Sequence, residues 1–177
     1  MALIQARGLS VGTRLAGVDL AVAAGELVGV IGPNGAGKST LLTALAGLQP
    51  AGGQVQLDGQ PLARLSPRQR ACLLGYLPQA GHSAWALTVE EVVAMGRLPW
   101  GDQDAGAIAA AMAATGADVL AGRRIHALSG GEQARVWLAR VLAGQPQVLL
   151  ADEPVASLDL YYQRSVMQAL RQFADSG

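Results

Sequence analysis

Hydrophobic and polar positions along the chain sort into two kinds of element. Leu27-Val28-Gly29-Val30-Ile31 is a short apolar run with β-branched residues, the pattern of a buried strand. Leu41, Leu42, Leu45 and Leu48 follow at spacings that share one helix face, and Gly47 and Gly52-Gly53 punctuate its end. Residues 3–31 otherwise read as short strands and turns, with Leu15 to Val22 alternating loosely. Gln54 to Gly59 alternates polar and apolar and ends in Asp-Gly, a hairpin-type strand. Ser66-Pro67-Arg68-Gln69 is a helix start, with a capping serine, proline at the first helical position and Gln three residues after the cap. Leu73 to Leu77 is a second buried-strand candidate, stopped by Pro78. Thr88-Val89-Glu90-Glu91 is a capping box that opens a helix through about Met95. Asp104 to Leu120 is alanine-rich and helical, weakest at Gly106 and Gly116. Glu132 to Ala143 reads as a helix with Trp137, Val141 and Leu142 on its apolar side. Val148 to Ala151 is an apolar strand broken by Pro154, and a helix from about Tyr161 to Phe173 follows. Residues 80–145 are therefore a helical block set between two α/β pieces.

Composition narrows the class. At 177 residues, 51% hydrophobic and 15% charged, the chain is long enough for one domain with a real core. Its 13 basic and 13 acidic residues cancel, which removes the electrostatic case for nucleic acid or acidic lipid as partner. The single cysteine, Cys72, allows no internal disulfide, suits a reducing compartment and reads as a small core residue. No stretch approaches the roughly 18–20 apolar residues of a membrane span, and no basic-then-apolar signal opens the chain. These features imply a cytosolic protein whose membrane role, if any, runs through a partner.

The chemistry is concentrated in three places. Gly32-Pro33-Asn34-Gly35-Ala36-Gly37-Lys38-Ser39-Thr40 fits the phosphate-binding pattern G-x-x-x-x-G-K-[ST], and it lies between a strand and a helix as that pattern requires. Such a loop aims backbone N–H groups and a helix N-terminus at an anion. Lys38 is the only lysine of the chain and Asn34 the only asparagine. A compact ammonium on a flexible stem does what a planar guanidinium cannot. Val148 to Glu153 is an apolar run delivering two carboxylates, Asp152 and Glu153, a way to hold magnesium near Ser39 and to place a base toward water. Leu128-Ser129-Gly130-Gly131-Glu132-Gln133 is a capping box with glycines inside it, where a plain cap needs none. It reads as a second anion site on a helix N-terminus. Arg123-Arg124 reads as a solvated surface pair.

In that order, the phosphate loop, Tyr76-Leu77-Pro78-Gln79, Leu128 to Gln133, Leu149-Leu150-Ala151-Asp152-Glu153-Pro154 and Ser157-Leu158-Asp159 resemble the motif set of the ATP-binding subunits of ABC transporters. The resemblance covers nearly the whole chain. It implies an α/β P-loop ATPase with N-terminal antiparallel strands, a parallel core sheet and an inserted helical subdomain, residues 80–145, between core pieces 1–79 and 146–177. It implies that Lys38 holds the β- and γ-phosphates, that the amides of Gly35 to Thr40 line them, and that Ser39, Asp152 and Gln79 serve Mg2+. Glu153 would polarise the attacking water, and Gln79 would relay occupancy to the membrane partner. Ser129, Gly130, Gly131 and Glu132 would meet the ATP bound to a second copy in a head-to-tail dimer, and Asp159 would communicate across it. The implied partners are that second copy, transmembrane permease subunits docked near residues 79–100, and a periplasmic or surface substrate-binding protein. The implied location is the inner face of the cell membrane. Leu87 to Pro99 further resembles importers of iron–siderophores, haem and cobalamin. The other readings are a soluble ABC-type ATPase of DNA repair or translation, or an inactive nucleotide-binding fragment.

Three features depart from the family. No aromatic precedes Tyr76, and Thr13 stands where an adenine-stacking ring is expected, which leaves adenine to aliphatic contacts or to Arg14. The only histidines, His82 and His126, lie upstream of the Asp-Glu motif, so neither fits the family's switch histidine; His82 reads as a loop residue near the partner-facing region and His126 as packed beside the signature loop. The family's fold would also seat a further strand between the phosphate-loop strand and the Asp-Glu strand. Unpaired strand groups cost about 1–3 kcal/mol each against a stability of about 5–15 kcal/mol. The expectation is a fragment or truncated form of a longer ATPase that hydrolyses ATP poorly by itself.

Overall fold

The N-terminal alternation becomes an antiparallel sheet. In the computed structural model, which describes residues 2–79, 86–156 and 158–176, β1 (Ala2–Val11) pairs with β2 (Leu15–Ala23) on one side and β3 (Gly52–Leu57) on the other. A short β4 (Gln60–Pro61) completes the order β2-β1-β3-β4. Ile4 stands opposite both Val22 and Leu57. Ile4 and Ala6 are buried on the same side as a period of two requires, with Leu57 of β3 opposite Ile4, and a register shift between Ala6 and Leu9 brings Leu9, three residues on, into the core as well. Asp58 (φ 47°) and Gly59 (φ 72°) both take left-handed backbone in the two-residue turn to β4, the geometry that Asp-Gly favours.

The chain forms two compact units: residues up to Arg70 with the stretch from Phe173 onward, and Ala71–Gln172. The first holds the antiparallel sheet and α1 (Lys38–Leu45), which buries Leu41, Ala44 and Leu45. Ser66 and Gln69 cap α2 (Pro67–Leu73) reciprocally, at 2.9 and 3.3 Å, as the sequence predicts. Leu27–Ile31 corrects the sequence reading. It forms no ladder with any described residue, and Val28 is 49% and Ile31 97% exposed. A strand is buried by its neighbours, and apolar composition alone does not supply them.

In the second unit, β5 (Leu74–Leu77) and β6 (Val148–Ala151) run parallel, Leu74 opposite Val148 and Leu77 opposite Ala151. Two apolar clusters meet on α5 (Gly130–Ala143). One joins Leu138 to Leu77 of β5 and to Val166, Ala169 and Leu170 of α6 (Leu160–Ser176). The other joins Val136, Ala139 and Ala143 to α3 (Val89–Ala94) and α4 (Ala105–Thr115). Val89, Val92 and Val93 have no exposed surface, a burial worth about 1.5–3 kcal/mol each. α4 starts at the Asp104 cap and ends at Gly116 in left-handed backbone, so that glycine is a stop signal. Half-buried Arg140 lies over the Trp137 ring at 5.7 Å, on the side of α5 that the sequence marks as apolar.

Candidate nucleotide-binding site

In the first unit, the phosphate loop curls into the start of α1. Gly37 precedes the helix at φ 92°, and no side chain caps the helix amides. The first-turn N–H groups of a helix have no intrahelical acceptor, and this first turn carries no acidic residue, so the positive end of α1 faces the loop. Glycine is required at 37 twice over: the backbone is left-handed, and a Cβ would fall 2.7 Å from the Arg14 carbonyl oxygen. Gly35 is likewise left-handed, φ 82°, and nothing lies within 4 Å of a Cβ there. Lys38 folds back and donates from Nζ to the Gly32 (2.9 Å) and Pro33 (3.1 Å) carbonyls. Ala36 N–H bonds Pro33 O at 3.2 Å. A phosphate offers stronger acceptors to the same ammonium than two exposed carbonyls. Asn34 is exposed at the loop tip, Ser39 is exposed on the first turn of α1, and Thr40 is half-buried beside it. The turn bearing Thr13 and Arg14 borders the loop through that Arg14 carbonyl, with both side chains exposed.

In the second unit, the parallel pair delivers three polar groups at the C-terminal ends of its strands. Gln79 follows β5; Asp152 and Glu153 follow β6. The ladder extends one residue further, with Asp152 N–H bonding Leu77 O at 2.9 Å. Asp152 is 5% exposed, whereas Glu153 is exposed and accepts from Gln79 Nε2 at 2.6 Å. Burial, and after it the Asp152 carboxylate, pushes the Tyr76 phenol above its ordinary pKa. Glu153 holds left-handed backbone, φ 48°, at the Pro154 turn. Non-glycine residues in that region cost about 1–3 kcal/mol and cluster at functional sites. Among the described residues no cluster of His, Cys, Asp and Glu could hold a metal alone.

The same unit holds the signature helix. Ser129 Oγ accepts from Glu132 N–H at 3.3 Å, and Glu132 Oε2 accepts from Ser129 N–H at 2.8 Å. The two glycines differ. Gly130 has nothing within 4 Å of a Cβ position, whereas at Gly131 a Cβ would meet the Tyr162 ring at 3.0 Å. Open space lies beside one glycine; the other makes room for the chain's own tyrosine. Arg135 lies over that ring at 4.9 Å. Asp159 caps α6 through Tyr162 N–H at 3.1 Å. Sequence reasoning missed the packing of Tyr162 against Gly131, which no local pattern marks.

Arg123 and Arg124 are both exposed, as the sequence reading of a surface pair has it, and each has a partner there: Arg123 donates to Glu132 at 2.8 Å and Arg124 to the Ala86 carbonyl at 2.6 Å. His126 is exposed on the turn Ile125–Ala127 ahead of the signature loop rather than packed against it. His82 and Ser157 lie outside the described residues.

Among the described residues no helix is long and apolar enough to cross a membrane. The ABC transporter family model matches residues 15–156. The hemin import ATP-binding protein HmuV of Nocardia farcinica is 51% identical over 98% of this chain and 66% of its own length. Its namesakes from Pseudomonas fluorescens and Streptomyces coelicolor are 52% and 49% identical, over 93% and 92% of this chain and 68% and 60% of theirs. The chain thus spans about two thirds of the length of these relatives. A bacterial Atm1-family ABC exporter with ATP bound superposes with TM-score 0.83 at 28% identity, over 97% of this chain and 32% of that one. The cbiO1 protein of Clostridium perfringens, part of the transporter complex cbiONQ, gives 0.85 at 26%, over 99% and 74%. With the motifs in family order, and half the residues shared with relatives along nearly its whole length, this chain belongs to the ABC transporter family, among its ATP-binding proteins.

Proposed function

We propose that the chain is the ATP-binding and ATP-hydrolysing part of an importer for haem or a related metal chelate, one ABC ATPase domain with residues 80–145 as its signature subdomain. The observation that carries the ATPase reading is the Gln79–Glu153 hydrogen bond at the ends of two parallel strands. Ligands of open parallel sheets bind outside the carboxyl ends of their strands. The relatives' name, hemin import ATP-binding protein, supports the substrate class.

In this reading Lys38 releases its two loop carbonyls to hold the β- and γ-phosphates, while the amides of Gly35 to Thr40 line them. Ser39, Asp152 and Gln79 hold Mg2+, which when bound supplies charge neutralisation on the phosphates. Glu153 orients the attacking water and accepts its proton; the bond from Gln79 keeps its carboxylate in one orientation. Ser129, Gly130, Gly131 and Glu132 present the capped end of α5, without a lysine, to the ATP of a second copy, so each nucleotide is held between two molecules. Closure of that head-to-tail pair would move permease subunits docked near residues 79–100. The protein would sit at the inner face of the cell membrane, with a periplasmic or surface binding protein supplying cargo. Glu153→Gln, which keeps the Gln79 contact but removes the base, should give an ATP-dependent dimer by light scattering; persistent monomer would remove the trans arrangement. Lys38→Ala should abolish ATP binding in calorimetry, and unchanged affinity would contradict its role.

A further inference from the structure

We infer that Arg123 is a positioning residue for the signature helix: it takes up the charge of Glu132 beside the proposed anion and ties the opening of α5 to the opening of α3. The inference rests on the trans-acting role proposed above.

Glu132 presents a difficulty at its position. A carboxylate at a helix N-terminus favours the helix but repels a phosphate approaching the same amides. Its two oxygens are divided. Oε2 accepts from Ser129 N–H in the cap, and Oε1 accepts from Arg123 Nη1 at 2.8 Å. The ion pair leaves the carboxylate with a counter-charge nine residues upstream in sequence. Arg123 also donates from Nη2 to the Ala127 carbonyl at 3.2 Å, so its guanidinium spans the loop leading into the signature residues.

The backbone of the same arginine faces the other way. Arg123 O accepts from Val89 N–H at 3.0 Å, the first residue of α3. Ile125 N–H bonds Leu87 O at 2.9 Å, Glu90 N–H bonds Ala121 O at 3.4 Å, and Thr88 bridges Arg124. Residues 87–90 and 121–125 are thus joined by one antiparallel bridge, at Thr88 and Arg124, with backbone hydrogen bonds on either side of it. Val89, Val92 and Ile125 lie in the same buried cluster as Val136 of α5, so the bridge is packed onto α5. A shift of α3, which lies in the segment proposed to dock the permease, would move Arg123 and with it the electrostatic dressing of the signature helix.

The test uses the protein carrying Glu153→Gln, so that bound ATP persists, and reads ATP-dependent self-association by sedimentation at low and moderate salt. An exposed ion pair is worth up to about fivefold in an equilibrium constant. Each head-to-tail pair uses two signature helices, so Arg123→Gln should weaken association measurably, by up to about 25-fold. The loss should shrink as salt screens the bare carboxylate. ATP affinity of the monomer by calorimetry should not change, because the phosphate loop is untouched. Arg123→Lys should retain most of the association. Arg123→Gln combined with Glu132→Gln should recover it, since glutamine still completes a capping box but carries no charge. A purely structural role for Arg123 predicts no such recovery. Equal association of Arg123→Gln and its parent, or a double variant as weak as the single, overturns the inference alone. Failure of the parent to associate with ATP overturns the reading beneath it.

Discussion

Adjacent glycines at the start of α5 should respond in opposite ways to the same substitution. An alanine in a helix is worth at most about 0.5–1 kcal/mol over glycine. At Gly130 nothing stands within 4 Å of the new methyl group, so that gain is realised. For a chain of this size it raises the melting temperature by about 1–4 °C. At Gly131 the new carbon would lie 3.0 Å from the Tyr162 ring, inside the roughly 3.5–4.0 Å at which two carbons attract. The ring is held by Arg135 above it and by the cap of α6 behind it. Overpacking costs about 1–3 kcal/mol, which outweighs the helical gain. Gly131→Ala should therefore be destabilising by up to about 2 kcal/mol, and Tyr162→Ala in the same molecule should relieve most of that, a coupling that a double-mutant cycle measures. Function runs differently. Gly130→Ala fills the open space proposed for a second molecule's nucleotide, so it should stabilise the fold and still weaken ATP-dependent association. Urea denaturation and light scattering read the two effects separately. Equal stabilisation at both positions would refute the Tyr162 argument, and undiminished association of Gly130→Ala would refute the open face.

Two further outcomes follow from the side-chain network. Arg97 is 4% exposed; it bonds both carboxylate oxygens of Asp102 at 2.8 Å, the Ala143 carbonyl at 3.2 Å and Gln145 at 3.1 Å. Arg97→Ala should cost about 1–3 kcal/mol in urea denaturation, because the last carbonyls of α5 lose a donor. The cap bonds from Thr88 lower the Glu91 carboxyl below its ordinary 4.5, and those from Ser129, ahead of Arg123, lower Glu132 likewise. The unfolded chain binds these protons first, so stability is full above about pH 4.5 and falls as pH drops through the lower folded values. Glu91→Gln and Glu132→Gln, which preserve the capping pattern, should flatten that acid limb.

Local chemistry was legible in the sequence; long-range chemistry was not. The boxes at Ser66, Thr88 and Ser129 span three residues each, and all three form. The phosphate loop declares itself because an eight-residue pattern encodes its own backbone shape. The β5–β6 pair follows from two apolar runs ended by prolines. What failed depends on partners far along the chain. Leu27–Ile31 has strand composition but no described neighbour, Arg123 finds its carboxylate nine residues away, and Gly131 is small because of a ring thirty-one residues later. Glycine content singled out the loop at Ser129–Glu132 while hiding that only Gly131 has a neighbour that needs a glycine.

The bare segment Leu27 to Ile31 has a consequence in the test tube. Four apolar residues around Gly29, with no charge and no proline and paired with no strand among the described residues, are a template onto which another extended chain can dock. Until something lies alongside it, the molecule should be prone to self-templating into insoluble aggregates. A lysine at Ile31, already 97% exposed, should act as a gatekeeper and delay the rise of turbidity on warming.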